Sequence, residues 1–113
     1  IRNADILYGE FAITTLVGIG VDSPTVIGAQ VANELLDIDG IQASFVLTDF
    51  QKKIYISARS IDEIDVQMIM ERMGGGGHLN FAGAQIEGKT IEEVTAEIRE
   101  LLDRLIEEGE IVL

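Results

Sequence analysis

Residues 41–60, IQASFVLTDFQKKIYISARS, contain the clearest periodic pattern in the sequence and decide the fold. Apolar and polar residues alternate over 41–48, which is typical of a β-strand with one face on a core. Residues 53–59 alternate in the same way, and the connection over 49–52 is short enough for an antiparallel hairpin. We therefore expect two neighbouring strands of a sheet here, the first of them covered on one side.

The segments before this hairpin predict a strand and a helix. Residues 11–17 are apolar on both faces and rich in β-branched residues, which favours a strand buried on both sides. Ser23 and Pro24 have the hydroxyl cap and first-turn proline of a helix start, and Gly40 would follow its end near residue 37. The buried side of this helix is expected to carry four apolar residues, spaced by four, four and three: Ile27, Val31, Leu35 and Ile38.

Two further helices are predicted by capping boxes, in which a hydroxyl residue precedes a glutamate by three positions. Ser60 with Glu63 would begin a helix that runs to about Met73, and Thr90 with Glu93 would begin the last helix. The residues expected to face inward are Ile64, Met68 and Met73 in the first of these helices and Ile91, Val94, Ile98, Leu101, Leu102 and Leu105 in the second.

The order of these elements is strand, helix, two strands, helix, glycine-rich segment, strand and helix. This order predicts an α/β fold with one mixed central sheet of four to five strands, including the antiparallel hairpin, packed by three main helices. A chain of 113 residues, 47% of them hydrophobic, is long enough for one domain spanning residues 1–113.

Composition excludes several classes of function. The net charge of −12, from 20 acidic and 8 basic residues, argues against sequence-independent binding to a nucleic-acid duplex. The absence of cysteine rules out disulfides and thiolate chemistry. No apolar run reaches the length of a membrane helix. Because the sequence begins at Ile1 without methionine, we expect it to be a piece of a longer protein.

The most unusual segment is Met73-Gly-Gly-Gly-Gly-His-Leu-Asn-Phe-Ala-Gly-Ala84. Ordering four successive glycines costs about 2–4 kcal/mol relative to alanine, a large share of the typical net stability of about 5–15 kcal/mol. Close approach of the backbone to a phosphate would offset this cost. The alternative is a flexible linker, although the serine and proline typical of linkers are missing. A phosphate site would need a helical turn that starts near Leu79 and directs its N–H groups at the loop.

His78 and Arg59 are the side chains near this segment that could bind a ligand. His78, the only histidine, could donate a hydrogen bond to phosphate or stack on a base, or serve as a structural hydrogen-bonding group. The planar guanidinium of Arg59 suits phosphate oxygens. The alternative for Arg59 is a surface ion pair with Asp62 or Glu63.

The glycine-histidine run 74–78, followed by Ala82-Gly83 and preceded by Ser57-Ala58-Arg59-Ser60, resembles the DHHA1 domain. This domain is the C-terminal, substrate-binding half of DHH-type phosphoesterases. The likeness extends over essentially the whole chain and is greatest to the GdpP-type cyclic-di-AMP phosphodiesterases of Gram-positive bacteria. One difference is that the Ala-Ala-Gly of the family motif is Phe81-Ala82-Gly83 here.

The resemblance implies that the chain binds a cyclic dinucleotide or a short linear oligonucleotide but contributes no catalytic residue. The residues implied to contact phosphate or adenine are Gly74, Gly75, Gly76, Gly77, His78 and Arg59, with Ser57 and Ser60 as weaker candidates. A binuclear Asp-His-His site needs at least two histidines, so the chain is expected to hold no metal. Manganese is expected in a separate DHH domain of the same protein, which would hydrolyse cyclic di-AMP to linear pApA.

Other expectations concern the surroundings of the domain. The resemblance implies a soluble, cytoplasm-facing domain in a parent protein anchored in the bacterial membrane. A homodimer through the last helix or a sheet edge is another expectation. The alternative function is a nucleic-acid-binding DHHA1 module of a nuclease or tRNA-synthetase-related protein, with Lys52 and Lys53 beside Phe50 and Tyr55 as the binding patch.

Overall fold

A computed structural model describes residues 4–17 and 22–113. In these ranges, six strands form one sheet in the order β1-β2-β3-β4-β6-β5. In chain order the elements are β1 (Asp5–Leu7), β2 (Phe11–Leu16), α1 (Pro24–Leu35), β3 (Ala43–Phe50), β4 (Lys53–Ser60), α2 (Val66–Glu71), β5 (Gly76–His78), β6 (Phe81–Glu87) and α3 (Ile91–Glu107).

The sheet is mixed, as the sequence predicted. Strands β2 and β3 are parallel and are joined through α1, whereas all other neighbours in the sheet are antiparallel. The α/β class and the three helices are confirmed, and the strand number is six rather than four to five. The strands that the sequence did not predict, β1 and β5, have three residues each, too few to show a period of two.

The hairpin of β3 and β4 forms as expected, with a tighter turn. Phe50 pairs with Lys53, so only Gln51 and Lys52 remain in the connection. Both have positive φ angles, +50° and +66°, as a type I′ turn requires. This turn matches the twist of the two strands, although neither residue is the usual asparagine or glycine.

Contrary to expectation, β3 is buried on both faces. Phe45 and Leu47 pack in the larger core, between the sheet and helices α2 and α3. Val46 faces the opposite side and packs under α1 with Leu35. The expectation failed because residues 44, 46 and 48 include serine and threonine, which suggested contact with water. In the structure these small polar side chains lie under a closely packed helix.

Helix α1 packs on the sheet through small residues, not through the predicted apolar ones. Its buried residues are Pro24, Gly28, Ala32 and Leu35. Of the predicted set only Leu35 is fully buried, and Ile38 lies beyond the helix end with 40% of its surface exposed. Small residues bring the helix backbone close to the sheet, where the hydroxyl of Ser44 donates to the carbonyl oxygen of Ala32 at 2.7 Å.

The predicted start of α2 is wrong. Ser60 is the last residue of β4, and the helix begins at Val66, where the side chain of Asp65 accepts a hydrogen bond from the N–H of Met68 at 3.1 Å. The hydroxyl of Ser60 cannot cap a helix because it bonds the carbonyl of Ile64 at 2.6 Å. The buried residues of α2 are Val66, Ile69 and Met70, whereas Ile64, Met68 and Met73 are partly buried against the core.

Helix α3 begins as predicted. The hydroxyl of Thr90 accepts from the N–H of Glu93 at 3.1 Å, and the carboxylate of Glu93 accepts from the N–H of Thr90 at 2.9 Å. Its buried residues are Val94, Ile98, Leu101, Leu102 and Leu105, all of them predicted, while Ile91 is partly buried. No helix within residues 4–17 and 22–113 is both long and apolar enough to cross a membrane.

The capping box makes the stability of the fold depend on pH through Glu93. Hydrogen bonds from the N–H and hydroxyl groups of Thr90 lower the pKa of Glu93. Because the folded-state pKa is lowered, the charged carboxylate stabilises the fold above the unfolded pKa of about 4.3, and this contribution is lost as the pH falls through the folded pKa. We expect Glu93→Gln, which keeps an acceptor oxygen, to be less stable than the wild type near pH 7, with the two converging under acidic conditions.

Urea unfolding of both proteins across the acidic range measures this effect. Glu100→Gln, an exposed change in the middle of α3, controls for the loss of one negative charge. If the difference between wild type and Glu93→Gln does not shrink as the pH falls, the carboxylate charge does not stabilise the cap.

Candidate functional site

A cleft lies where α1 leaves one face of the sheet uncovered. Helix α1 packs against β3 and β4, while α2 packs against β4, β5 and β6 from the other face. The outer faces of β6 and β5 therefore remain open beside the start of α1. The cleft there has a volume of about 550 Å³, within the usual range for small-molecule sites. It is lined by Thr25, Tyr55, Ile56, Ser57, Arg59, Gly74–Gly77, Phe81, Ala82, Gly83, Ala84 and Gln85.

Strand pairing aligns the residues of the cleft floor in two rows across the sheet. Arg59 pairs with Phe81 and Phe81 with His78, and this set is named the aromatic row. Ser57 pairs with Gly83 and Gly83 with Gly76, and this set is named the glycine row. Paired residues of neighbouring strands project from the same face, and the two rows are two residues apart along each strand, about 7 Å.

The glycine run is not one loop, because its second half forms β5. Gly76 and Gly77 pair with residues of β6, and the turn between β5 and β6 contains only Leu79 and Asn80. The helical turn near Leu79 that a phosphate site was expected to need does not form. The helix start at the cleft is that of α1, whose Thr25 lines the cleft. The positive end of a helix dipole is favourable to an anion there.

Three of the four glycines are required by the fold itself. Gly74, at φ +85°, lies in the turn that follows α2, and the N–H of Gly75 returns to the carbonyl of Met70 at 2.8 Å, as in a Schellman motif. A Cβ on Gly75 would lie 2.0 Å from the carbonyl oxygen of Gly83. Gly77 has a φ of +150°, and a Cβ there would lie 2.5 Å from the Cα of Ala82.

Gly76 is different, because the fold gives no reason for a glycine there. Its φ is not in the left-handed range, and a Cβ built on it has no heavy atom within 4 Å. The residue lines the cleft, so the space that a side chain would fill is part of the cleft. The fold thus accounts for three glycines of the run and leaves the space above Gly76 open to another molecule.

Arg59 provides a cation at the cleft. Its guanidinium donates to the carbonyl of Ala58 at 2.8 Å and lies 5.8 Å from the ring centroid of Phe81. The alternative of an ion pair with Asp62 or Glu63 does not form, and none of the ion pairs in the described ranges includes Arg59. Burial lowers the pKa of the Arg59 guanidinium, but arginine remains charged in proteins at neutral pH. Its charge is available to an anion.

Ser57 lies between Arg59 and α1 with 7% of its surface exposed. A Cβ on Gly28 of α1 would lie 2.4 Å from its hydroxyl oxygen, so the helix passes directly over this residue. Ser57 lines the cleft, and its hydroxyl makes no hydrogen bond with residues 4–17 or 22–113. None of the described residues that line the cleft is acidic, although the protein has a net charge of −12.

His78 and Ser60 occupy different positions from the other candidates. The His78 ring packs against Phe81, with centroids 4.5 Å apart, so it borders the cleft through Phe81. Ser60 is buried and does not line the cleft. Its hydroxyl bonds the carbonyl of Ile64 and accepts from the Asn80 amide at 3.0 Å, and this structural use accounts for the residue.

The described ranges do not offer a metal site. No three histidine, aspartate or glutamate side chains of residues 4–17 and 22–113 lie close enough together to hold an ion. These residues therefore do not fit a two-metal centre.

Comparison with known families confirms the resemblance seen in the sequence. The model of the DHHA1 domain matches residues 10–108. The chain belongs to the DHHA1 family. This DHHA1 domain is 49% identical over 80 residues to the cyclic-di-AMP phosphodiesterase PdeA of Listeria monocytogenes, covering 70% of the chain and 12% of PdeA. It is 44% identical over 82 residues to the cyclic-di-AMP phosphodiesterase GdpP of Geobacillus thermodenitrificans, covering 72% of the chain and 12% of GdpP.

A solved structure supports the fold of this DHHA1 domain. An exopolyphosphatase-related protein from Bacteroides fragilis superposes with a TM-score of 0.72 at 22% identity, over 91% of this chain and 32% of that protein. The chain therefore spans a small part of the relatives it matches, about an eighth of PdeA and of GdpP.

Sequence reasoning missed Thr25, Gln85 and the central position of Phe81 in the cleft. A signal for Thr25 was present, because Ser23-Pro24 predicted a helix start nearby. Phe81 and Gln85 could be placed only once the register of β6 against β4 was known, since that register decides which residues face outward.

The fold requires a glycine at position 75 but not at position 76, and thermal and urea unfolding can test this difference. We expect Gly75→Ala to lower the free energy of unfolding by more than about 2 kcal/mol, because its Cβ would overlap the backbone of β6. Gly76→Ala is the matched control and should leave stability unchanged or raise it by about 0.5 kcal/mol. Equal destabilisation by both changes would contradict this division of the run.

Proposed function

We propose that this DHHA1 domain is the substrate-binding part of a metal-dependent phosphodiesterase that hydrolyses cyclic di-AMP to linear pApA. The observation that carries the proposal is Arg59, a cation that forms no ion pair with residues 4–17 or 22–113 and lies beside Gly76 in a cleft whose described lining residues include no acid. The identity to PdeA and GdpP, both named as cyclic-di-AMP phosphodiesterases, supports this substrate.

The cleft offers three kinds of group that bind phosphate oxygens. The Arg59 guanidinium can form paired, charge-assisted hydrogen bonds. The Ser57 hydroxyl can donate another hydrogen bond, and the nearby start of α1 adds the positive end of its dipole. Gly76 has no side chain that would keep a phosphate away from the strand. Together these groups favour an anion of phosphodiester size at the glycine row.

The part of this chain in hydrolysis is to bind and orient the substrate. The described residues of this chain do not fit a two-metal site, and the resemblance to DHH-type phosphoesterases supports placing manganese and the hydrolytic chemistry in a DHH domain of the same protein. Arg59 would neutralise the charge of a phosphodiester and hold it in the cleft, oriented toward the DHH domain. The proposal also includes a short linear oligonucleotide as an alternative ligand of the cleft. It further includes a parent protein that is anchored in the bacterial membrane.

The alternative of general nucleic-acid binding rests on the hairpin of β3 and β4. Phe50 and Tyr55 do lie together there, with ring centroids 6.3 Å apart. However, Lys53 is 3.8 Å from the carboxylate of Glu87, and Asp49 is exposed in the same hairpin. Nearby acids weaken attraction for a polyanion, so the cleft is the better candidate, and nucleic-acid binding stays a prediction.

Binding of cyclic di-AMP to variants tests the proposed site. Calorimetric titration should be made with this chain alone and with the DHH domain supplied in trans. We expect Arg59→Ala to weaken binding about tenfold or more, because a charge-assisted contact is worth about 1.5–3 kcal/mol. Arg59→Lys should keep part of the affinity, since a lysine retains the charge without the planar fork. Gly76→Val should weaken binding by filling the cleft without unfolding the domain.

Arg104→Ala is the matched control, because Arg104 is an exposed residue of α3 on the opposite side of the sheet. It should bind like the wild type. If Arg59→Ala also binds like the wild type in the presence of the DHH domain, the phosphate site lies elsewhere.

A further inference from the structure

We propose that Phe81 is a platform on which a nucleobase of the ligand stacks, so that the cleft selects nucleotides over phosphates that lack a base. The inference rests on the proposed function. It adds a binding position for the nucleobase, which the glycine row does not recognise. Its basis is the position and exposure of one aromatic side chain at the floor of the cleft.

Phe81 is an unusual residue at its position. It begins β6, lines the cleft and keeps 51% of its surface exposed. Its neighbours on the same strand, Ala82 and Ala84, are buried in the core on the other face. The core therefore does not use this ring. An exposed ring of this size on a concave surface offers a flat apolar face to a ligand.

The two neighbours of Phe81 in the aromatic row suit a stacking site. The His78 ring contacts it with centroids 4.5 Å apart and planes inclined by 39°, which fixes the ring on one side. The Arg59 guanidinium lies 5.8 Å from the ring centroid, at the outer limit of a cation–π contact. Phe81 is exposed over 51% of its surface and lies between an imidazole and a cation, both of which also favour an electron-rich base.

The spacing of the rows matches the shape of a nucleotide. The glycine row offers small and hydroxyl groups, and the aromatic row lies about 7 Å away along the same strands. A nucleotide likewise carries its phosphate and its base at opposite ends of a sugar. A phosphate at the glycine row would therefore place its base over Phe81, while Arg59 can reach either group.

The phosphate and the base of the ligand are expected to bind at different rows, so the test compares a ligand that has both parts with one that has only phosphate. Cyclic di-AMP carries bases, whereas inorganic diphosphate carries charge alone. Both are titrated into wild type, Phe81→Ala, Phe81→Leu and Phe81→Tyr, with the DHH domain present. We expect Phe81→Ala and Phe81→Leu to bind cyclic di-AMP about fivefold or more weakly, because stacking on an aromatic ring contributes about 1–3 kcal/mol per base. Diphosphate affinity should stay within about twofold, and Phe81→Tyr should bind both ligands like the wild type.

A spectroscopic measurement distinguishes stacking from a change in cleft shape. The adenine ring-proton resonances of bound cyclic di-AMP should shift upfield through the ring current of Phe81 and should lose this shift in Phe81→Leu. Leu79→Ala is the control, because Leu79 is an exposed apolar residue, 46% accessible, in the adjacent turn and outside the cleft. It should change neither affinity nor shift.

The outcomes separate this inference from the proposed function. If wild type binds neither ligand, the proposed function fails. If wild type binds cyclic di-AMP and Phe81→Ala binds it equally well, stacking on Phe81 is wrong while the phosphate site stands. If Phe81→Ala weakens both ligands equally, Phe81 supports the shape of the cleft, and the stacking platform is also wrong.

Discussion

The pairing of β6 with β4 on one side and with β5 on the other is the constraint on which the cleft depends. This pairing brings Arg59 and His78 to the two sides of Phe81, although they are far apart in sequence. It also requires the backbone of the glycine run to approach β6 so closely that a Cβ on Gly75 would overlap the carbonyl oxygen of Gly83. The site is thus a product of sheet register more than of a flexible loop.

The elements that could be predicted from the sequence are those whose signal is local. The hairpin was visible because its alternation continues over both strands, and the start of α3 was visible because both residues of its capping box lie within one turn. The packing side of α1 could not be derived in this way. Its side against the sheet is formed by Gly28 and Ala32, and hydrophobicity alone favours the larger Ile27 and Val31, which are only partly buried.

The predicted link between the glycines and a ligand was too broad, because it assigned the conformational cost of all four residues to ligand binding. The conformational cost of the run suggested that a ligand offsets it. In the structure, the Schellman motif at Gly74 and the close packing of Gly75 and Gly77 on neighbouring backbone explain most of the run. These contacts depend on the φ angles of the glycines and on the register of β5 against β6, so no pattern of residue types could reveal them. Gly76 is the one glycine of the run for which a bound ligand is still needed to explain the conformational cost.

The contact between Gly28 and Ser57 limits how this domain can be stabilised by engineering. Replacing a glycine inside a helix by alanine is a common route to higher thermostability, since it restricts the unfolded chain and improves helix propensity. Here the new methyl group would meet the hydroxyl oxygen at 2.4 Å and force either α1 to lift or Ser57 to rotate. Both adjustments would alter the wall of the cleft, so a gain in heat resistance at this position would be tied to a change in the shape of the cleft.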